Sequence, residues 1–201
     1  MIDSRYRSPY QSLLIDPILP KLVKLNINPH IYTSFAFISG VAIIPALYFQ
    51  SNGFAFLLLL LSGFLDTLDG SIARAKNATT PKGAVFDIIS DRAVEASIII
   101  GLYLMDPSSR GLLCLLMLSS AFLCVTSFLV VAVFVENDSS KGFHYSPGIM
   151  ERAEAFLFFS VMILFPSTFE TLAWIFVVLV ALTAVIRIWE FGRGDFGRED
   201  I

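Results

Sequence analysis

Four aspartates stand close together in the middle of an otherwise apolar chain. Asp66 and Asp69 are three residues apart, and Asp87 and Asp91 are four residues apart. On a helix, residues at these spacings share a face, so each pair presents two carboxylates to the same side. Two helices that bring the pairs together form a cage of oxygen ligands for divalent cations.

Carboxylates without histidine or cysteine are hard ligands that suit Mg²⁺, Mn²⁺ or Ca²⁺. Four negative charges need compensation at low dielectric, and one or two cations supply it. Two ions would clamp a pyrophosphate and stabilise its leaving oxygen. Asp91, deepest on the second face, is our candidate general base for an attacking hydroxyl. The alternative is that the aspartates only form salt bridges with Arg74, Lys82 and Arg92.

The residues beside the aspartates are small or cationic, as a phosphate site requires. Gly70 and Ala73 keep the first helix face narrow, and Gly83 clears space one turn before Asp87. Arg74 lies one turn past Gly70 and can hold a phosphate through two parallel hydrogen bonds. This set favours a ligand that carries phosphate groups.

Composition predicts a membrane protein. Of the 201 residues 56% are hydrophobic and 15% are charged, whereas about 25% are charged in soluble domains. Several apolar stretches of about 20 residues are long enough to cross a bilayer as helices. We predict an all-α integral membrane protein with six transmembrane helices, at residues 31–50, 54–76, 83–105, 110–135, 149–166 and 169–191. Carboxylates inside such helices are costly and therefore mark functional sites.

One domain is expected over residues 1–201. Residues 1–27 read as an amphipathic, interfacial N-terminal segment, residues 28–192 as the six-helix bundle and residues 193–201 as a polar tail. Lysine and arginine cluster before the first span, between the second and third spans and at the C-terminal end. The positive-inside rule therefore places both termini and the aspartates on the cytoplasmic side, of the inner membrane if the source is bacterial.

The pattern D-x2-D-G-x2-A-R-x8-G-x3-D-x3-D resembles the signature of the CDP-alcohol phosphotransferase family, also called CDP-alcohol phosphatidyltransferases. Every fixed position is met, by Asp66, Asp69, Gly70, Ala73, Arg74, Gly83, Asp87 and Asp91. The run from Asn28 to Thr33 also resembles the family's Pro-Asn-x-x-Thr motif before the first span, with His30 where asparagine is usual. The six-span plan matches too, so the resemblance covers most of the chain.

The resemblance implies a metal-dependent transferase of phospholipid biosynthesis. Such an enzyme moves a phosphatidyl-type group from a CDP-linked lipid, here expected to be CDP-diacylglycerol, to a small polar alcohol and releases CMP. It implies that Asp66, Asp69, Asp87 and Asp91 hold Mg²⁺ or Mn²⁺, expected as two ions, and that Asp91 is the base. A homodimer is expected, and nucleic acid is not.

The same resemblance assigns contacts with the CDP moiety. The residues concerned are Asp66, Asp69, Gly70, Ala73, Arg74, Gly83 and Asp87.

The acceptor side is less specific. In the family's inositol-phosphate-using branch, an arginine equivalent to Arg152 meets the acceptor's phosphate, but that branch's basic patch has no counterpart at residues 131–136. Lys141 and His144 are candidate substitutes. Each has a plainer interpretation: Lys141 as a positive-inside anchor, His144 as a solvated loop histidine, and Arg152 as the partner of a neighbouring glutamate or a snorkelling interfacial residue. Inositol phosphate, glycerol phosphate and serine are the candidate acceptors.

A rival hypothesis is a divalent-cation or proton-coupled transporter, because intramembrane carboxylates are common there too. Transporters often have inverted repeats and helices broken near the midplane. The sequence has neither, and its aspartates lie toward one membrane face. Nucleotide binding separates the hypotheses, since a transporter has no reason to bind CDP only when Mg²⁺ is present.

Overall fold

The structure, a computed structural model, describes residues 11–25, 27–134 and 148–193. Within these ranges a short π-helical turn, Gln11–Ile15, leads to seven helices. They are α1 (Leu19–Lys24), α2 (Pro29–Tyr48), α3 (Asn52–Ala75), α4 (Pro81–Met105), α5 (Pro107–Phe134), α6 (Arg152–Leu164) and α7 (Phe169–Arg193). A 3₁₀ turn, Pro166–Thr168, joins α6 to α7. The all-helical prediction is confirmed.

Prolines and polar caps set the helix starts. Pro29 and Pro81 stand in the first turns of α2 and α4, where a backbone N–H is not needed. The side chains of Asn28 and Thr80 accept N–H groups of the turns that follow them. Within α2 the helix is interrupted at Ala42, because the proline three residues later has no N–H to continue the ladder.

The six predicted spans correspond to helices whose ends differ by at most three residues. Four candidate spans are long and apolar enough to cross a membrane: α2, α3, α5 and Pro166–Arg193. Helix α4, with 25 residues, is also long enough but carries Asp87, Asp91, Arg92 and Glu95. Helix α6 has 13 residues, about 20 Å, less than the roughly 30 Å of a hydrocarbon core. The chain is therefore a multi-pass membrane protein.

The helices pack around one main apolar core. Helix α5 packs along α7, and α2 packs against both α3 and α4. Fully buried members come from six helices, α2 to α7, and include Leu47, Leu59, Ile99, Met117, Met162 and Phe176. Many large apolar side chains on the outer faces are exposed, as expected of helices that contact lipid.

The N-terminal segment packs against the part of α3 that carries the aspartates. Ile15 is buried with Leu68 and Ile72 in a second apolar cluster. Lys21 and Lys24 of α1 are largely exposed. Within residues 11–25 the apolar side therefore supports α3 at the site, and lysines occupy the exposed side.

Candidate active site

Asp66 and Asp69 lie one turn apart near the C-terminal end of α3 and share a face, as predicted. Asp69 is buried, with 5% of its surface exposed. The Thr33 hydroxyl, on α2, donates a hydrogen bond to Asp69 Oδ2. Sequence reasoning noted Thr33 as part of a motif but gave it no role; the structure makes it the support of this carboxylate.

Asp87, on the second turn of α4, brings a third carboxylate to this pair. One oxygen from each of Asp66, Asp69 and Asp87 lies within 4.8 Å of the other two. The cage expected across two helices is therefore formed by three of the four aspartates. These hard oxygen donors fit a divalent cation such as Mg²⁺ or Mn²⁺.

The fourth aspartate, Asp91, is engaged by an arginine from a third helix. Nη2 of Arg152 lies 2.6 Å from Asp91 Oδ1, and its Nη1 lies 2.8 Å from Asp66 Oδ2. The Arg152 side chain is 49% exposed, whereas those of both aspartates are 14% exposed. One guanidinium thus joins α3, α4 and α6 while it remains open to the surroundings.

Arg152 is the first residue of α6, and its neighbours define where that helix begins. Glu151 and Glu154 form a capping box, each side chain accepting a backbone N–H of the other's turn. Beside the expected glutamate neighbours, the structure gives Arg152 ion pairs with Asp66 and Asp91. The Arg152 charge thus lies against two of the signature aspartates.

Close packing between α3 and α6 explains how Arg152 reaches the site. A Cβ added to Gly63 would lie 2.8 Å from Cε2 of Phe156, so the ring of Phe156 packs against the bare backbone of α3. Phe156 is one turn after Arg152, and Asp66 is one turn after Gly63. Sequence reasoning missed this contact, although a small residue in a membrane helix is a known signal of close approach.

Arg74 lies beside the signature glycine of α3. A Cβ on Gly70 would stand 3.3 Å from Arg74 Nη1, and Nη2 donates a 3.3 Å hydrogen bond to Ser71 Oγ. The exposed guanidinium therefore folds back over Gly70, while Ala73 beside it is half-buried. This places a cation within one turn of the aspartates.

Gly83 of α4 faces His30 of α2. A Cβ at Gly83 would lie 3.2 Å from both His30 Cε1 and Thr80 Oγ1. The His30 ring also meets Phe86 edge to face, with centroids 6.2 Å apart. His30 thus stands at the same mouth of the bundle as the signature glycine.

Two other predicted residues, Lys141 and His144, lie outside the described residues. Glu95, which continues the stripe of Asp87 and Asp91 by one more turn, pairs with Arg92 at 2.6 Å. That ion pair lies within α4 and occupies the Glu95 carboxylate.

An apolar groove runs along α6 beside the site. Its volume is about 490 Å³. It lies between α3 and α6 and begins one residue from Arg152, lined by Phe56, Leu60, Ala153, Phe156, Leu157, Ser160, Val161 and Leu164. Apart from Ser160 its lining is apolar, and it reaches Ala153, the residue that follows Arg152.

Comparison with protein families identifies the chain's relatives. The profile of the CDP-alcohol phosphatidyltransferase family matches residues 26–189. The chain belongs to this family. As a CDP-alcohol phosphatidyltransferase it is a membrane-bound transferase of phospholipid biosynthesis, and its aspartate cluster is of the metal-binding kind.

Two relatives illustrate the range of the family. The chain is 31% identical to the inner membrane protein YnjF of Escherichia coli, over 94% of each chain. It is 28% identical to an archaetidylinositol phosphate synthase of Aeropyrum pernix, over 75% of this chain and 74% of that one.

The fold is that of a phosphatidylinositol phosphate synthase from Mycobacterium tuberculosis. A crystal structure of that enzyme with CDP-DAG bound superposes with a TM-score of 0.74 at 19% identity, over 92% of this chain and 98% of that one. A second crystal structure, in complex with manganese and citrate, gives a TM-score of 0.72 at 19% identity over 88% of each chain. At 19% identity this similarity shows that the chain and the mycobacterial synthase share a fold.

Proposed function

We propose that this protein transfers a phosphatidyl-type group from CDP-diacylglycerol to the hydroxyl of a small polar alcohol and releases CMP. The observation that carries the proposal is the cluster of Asp66, Asp69 and Asp87, whose oxygens lie within 4.8 Å of one another. The apolar groove and Arg152 flank this cluster. A phosphate-binding centre between a lipid groove and a cation suits a reaction between a lipid donor and a polar acceptor.

The groove supports a lipid-linked donor. It is apolar and follows α6 from Ala153 to Leu164, so an acyl chain can lie in it while the headgroup stays beside the aspartates. Burial of each methylene there is worth about 0.8 kcal/mol. The related synthase crystallised with CDP-DAG bound supports the same donor.

The CDP moiety would lie against the faces of α3 and α4 that carry the signature residues. Gly70 and Gly83 add no side chain to that face, and the movable side chains of Arg74 and His30 lie over them at the rim. We assign the CDP contacts to Asp66, Asp69, Gly70, Ala73, Arg74, Gly83 and Asp87.

The donor set fits divalent cations, and we propose two ions of Mg²⁺ or Mn²⁺. Asp66, Asp69 and Asp87 would hold them, joined by Asp91. When bound, such ions neutralise the pyrophosphate and stabilise the phosphate of departing CMP. The manganese-containing structure of the related synthase supports this choice.

We assign Asp91 as the general base. The acceptor hydroxyl gives its proton to Asp91, and its oxygen forms a bond to the β-phosphorus of the donor. The bond between that phosphorus and the oxygen of CMP breaks, and CMP leaves with the bonding electrons. Arg152, 2.6 Å from Asp91, would bind the polar acceptor next to its base.

The acceptor is proposed to be inositol phosphate, glycerol phosphate or serine. Arg152 holds an oxyanion well because a guanidinium offers two parallel donors. Relatives named as archaetidylinositol phosphate and phosphatidylinositol phosphate synthases support the first of these. Lys141 and His144 remain candidate contacts.

We propose six transmembrane helices. Helix α4, and the short α6 together with the residues that flank it, join the four that meet the criteria of length and hydropathy. The N-terminal segment lies at the interface, both termini face the cytoplasm, and the site opens on that side. The positive-inside distribution of lysine and arginine supports this orientation. We further propose a homodimer.

The test is CMP release by purified protein with CDP-diacylglycerol and Mg²⁺ or Mn²⁺. Myo-inositol 1-phosphate, sn-glycerol 3-phosphate and L-serine serve as acceptors. We expect cation-dependent CMP release with one of them, loss of it in Asp69→Asn, and retention in the matched control Asp16→Asn, whose carboxylate is exposed. If no acceptor gives CMP release, and CDP binding does not depend on Mg²⁺, the transporter hypothesis is favoured.

A further inference from the structure

Thr183 of α7 is buried, with 1% exposure, and its hydroxyl makes two hydrogen bonds. Oγ1 donates to the carbonyl of Leu179 at 2.8 Å and accepts the N–H of Met150 at 3.0 Å. A hydroxyl has one hydrogen and two lone pairs, so both bonds form together. The second bond leaves α7 and holds the residues that lead into α6.

The chain before α6 also packs directly on the Thr183 methyl group. A Cβ on Gly148 would lie 2.2 Å from Thr183 Cγ2, so the backbone at this point meets the threonine without a side chain between them. Met150 is 7% exposed and belongs to the main core. Residues 148–150 are therefore fixed on α7 by a hydrogen bond, a methyl contact and core packing.

Arg152 follows two residues after Met150. Its guanidinium contacts Asp66 and Asp91 at 2.8 and 2.6 Å, and a displacement of about 1 Å is enough to spoil such geometry. We propose that Thr183 is a positioning residue, which fixes the start of α6 on α7 so that Arg152 meets the acceptor. The inference rests on the proposed function of Arg152, while Thr183 itself touches no substrate.

The first test compares Thr183→Val with Thr183→Ser. Valine keeps the shape but cannot accept the Met150 N–H, whereas serine keeps the hydroxyl. With the acceptor that gives the highest wild-type rate, we expect Thr183→Val to raise the acceptor KM roughly 10- to 100-fold. The donor KM should change by less than about twofold, and Thr183→Ser should behave as wild type.

The second test approaches the contact from the other side. Gly148→Ala places a Cβ against Cγ2 of Thr183, and we expect it to raise the acceptor KM in the same way. Thr183→Ser removes that methyl and leaves contacts of 3.4 Å to Cβ and Oγ1. The double variant Gly148→Ala/Thr183→Ser should therefore recover, and this pair carries the test if Thr183→Val does not fold.

Hydrogen exchange over residues 148–154, measured without substrates, separates this inference from the proposed function. We expect faster exchange in Thr183→Val and Gly148→Ala, and wild-type exchange in Thr183→Ser and the double variant. If no acceptor is turned over, the proposed function fails, yet the exchange data still decide whether Thr183 fixes α6. Unchanged exchange in all variants, or equal changes in donor and acceptor KM, would overturn the inference.

Discussion

Thr33 of α2 donates its hydroxyl hydrogen to Asp69 of α3, across 36 residues of chain. Asp69 is the most buried of the three clustered aspartates, and this bond sets the direction of its carboxylate. Mutation of a residue that orients a metal ligand typically lowers metal affinity by about 10- to 100-fold.

Thr33→Val removes that donor and keeps the shape of the side chain. We expect its Mn²⁺ affinity to fall by roughly 10- to 100-fold, because Asp69 becomes free to rotate. Electron paramagnetic resonance of free Mn²⁺ measures this without turnover. Thr33→Ser keeps the hydroxyl and is the matched control; equal losses in both variants would show that the methyl, not the hydrogen bond, matters.

Gly63→Ala tests the approach of α6 to α3. The new Cβ would lie 2.8 Å from Phe156 Cε2, and overpacking of this kind costs about 1–3 kcal/mol. We expect a raised acceptor KM and a lowered melting temperature. Phe156→Leu removes the obstructing ring atoms, so the double variant should recover both. Failure of that rescue would mean that the glycine serves another purpose.

Asp91→Asn tests the general base. Because asparagine cannot take the proton of the acceptor hydroxyl, we expect kcat to fall by about 10²–10⁴-fold. Binding of CDP-diacylglycerol, measured by calorimetry with Mg²⁺, should persist. Asp16→Asn provides the control on an exposed carboxylate. CMP release at the wild-type rate would refute the assignment.

Arg152→Ala should raise the acceptor KM by roughly 10- to 100-fold, because hydrogen bonds to a charged group are worth about 1.5–3 kcal/mol. The donor KM should rise by less. Arg152→Lys should restore little of this loss. A lysine carries one point charge and cannot span Asp66 and Asp91 as the two Nη atoms do. Steady-state kinetics with each substrate varied in turn provide the measurement, and equal changes in both KM values would remove Arg152 from the acceptor site.

Leu60→Trp tests the groove as the place of the donor's acyl chain. The larger side chain displaces one or two methylenes at about 0.8 kcal/mol each, so we expect the KM for CDP-diacylglycerol to rise by roughly tenfold. Affinity for CDP itself, which has no chain, should stay the same. Leu61→Trp is the matched control, because Leu61 is exposed on the same helix but does not line the groove.

Local spacing predicted the helices and the aspartate faces well. The i,i+3 relation of Asp66 and Asp69 needs only helical geometry, and the apolar stretches needed only the width of a bilayer. The cluster with Asp87 also followed, because the two helices are consecutive and joined by a short loop. These features depend on residues that are close together in the sequence, so they could be predicted from it.

Contacts between segments that are far apart in the sequence could not be predicted from local spacing. The bond from Thr33 to Asp69, the packing of Phe156 on Gly63 and the bond from Met150 to Thr183 each depend on which helix faces which. No local pattern encodes that choice. For the same reason the sequence named Arg152 but not its partners, and it placed Asp91 with the other carboxylates rather than with the arginine.

The attachment of residues 148–150 to the middle of α7 also sets the level at which chemistry occurs. From Thr183 the helix continues to Arg193, about 15 Å farther at 1.5 Å per residue, so Arg152 and the aspartates are recessed below the end of the bundle. At that level the lipid donor we propose would present its phosphates to the aspartates while its tails stay in hydrocarbon. Withdrawing those tails into water would cost about 0.8 kcal/mol per methylene. On the proposed function, the short α6 would let an insoluble donor react without being extracted from its own leaflet, and only the water-soluble acceptor would have to travel.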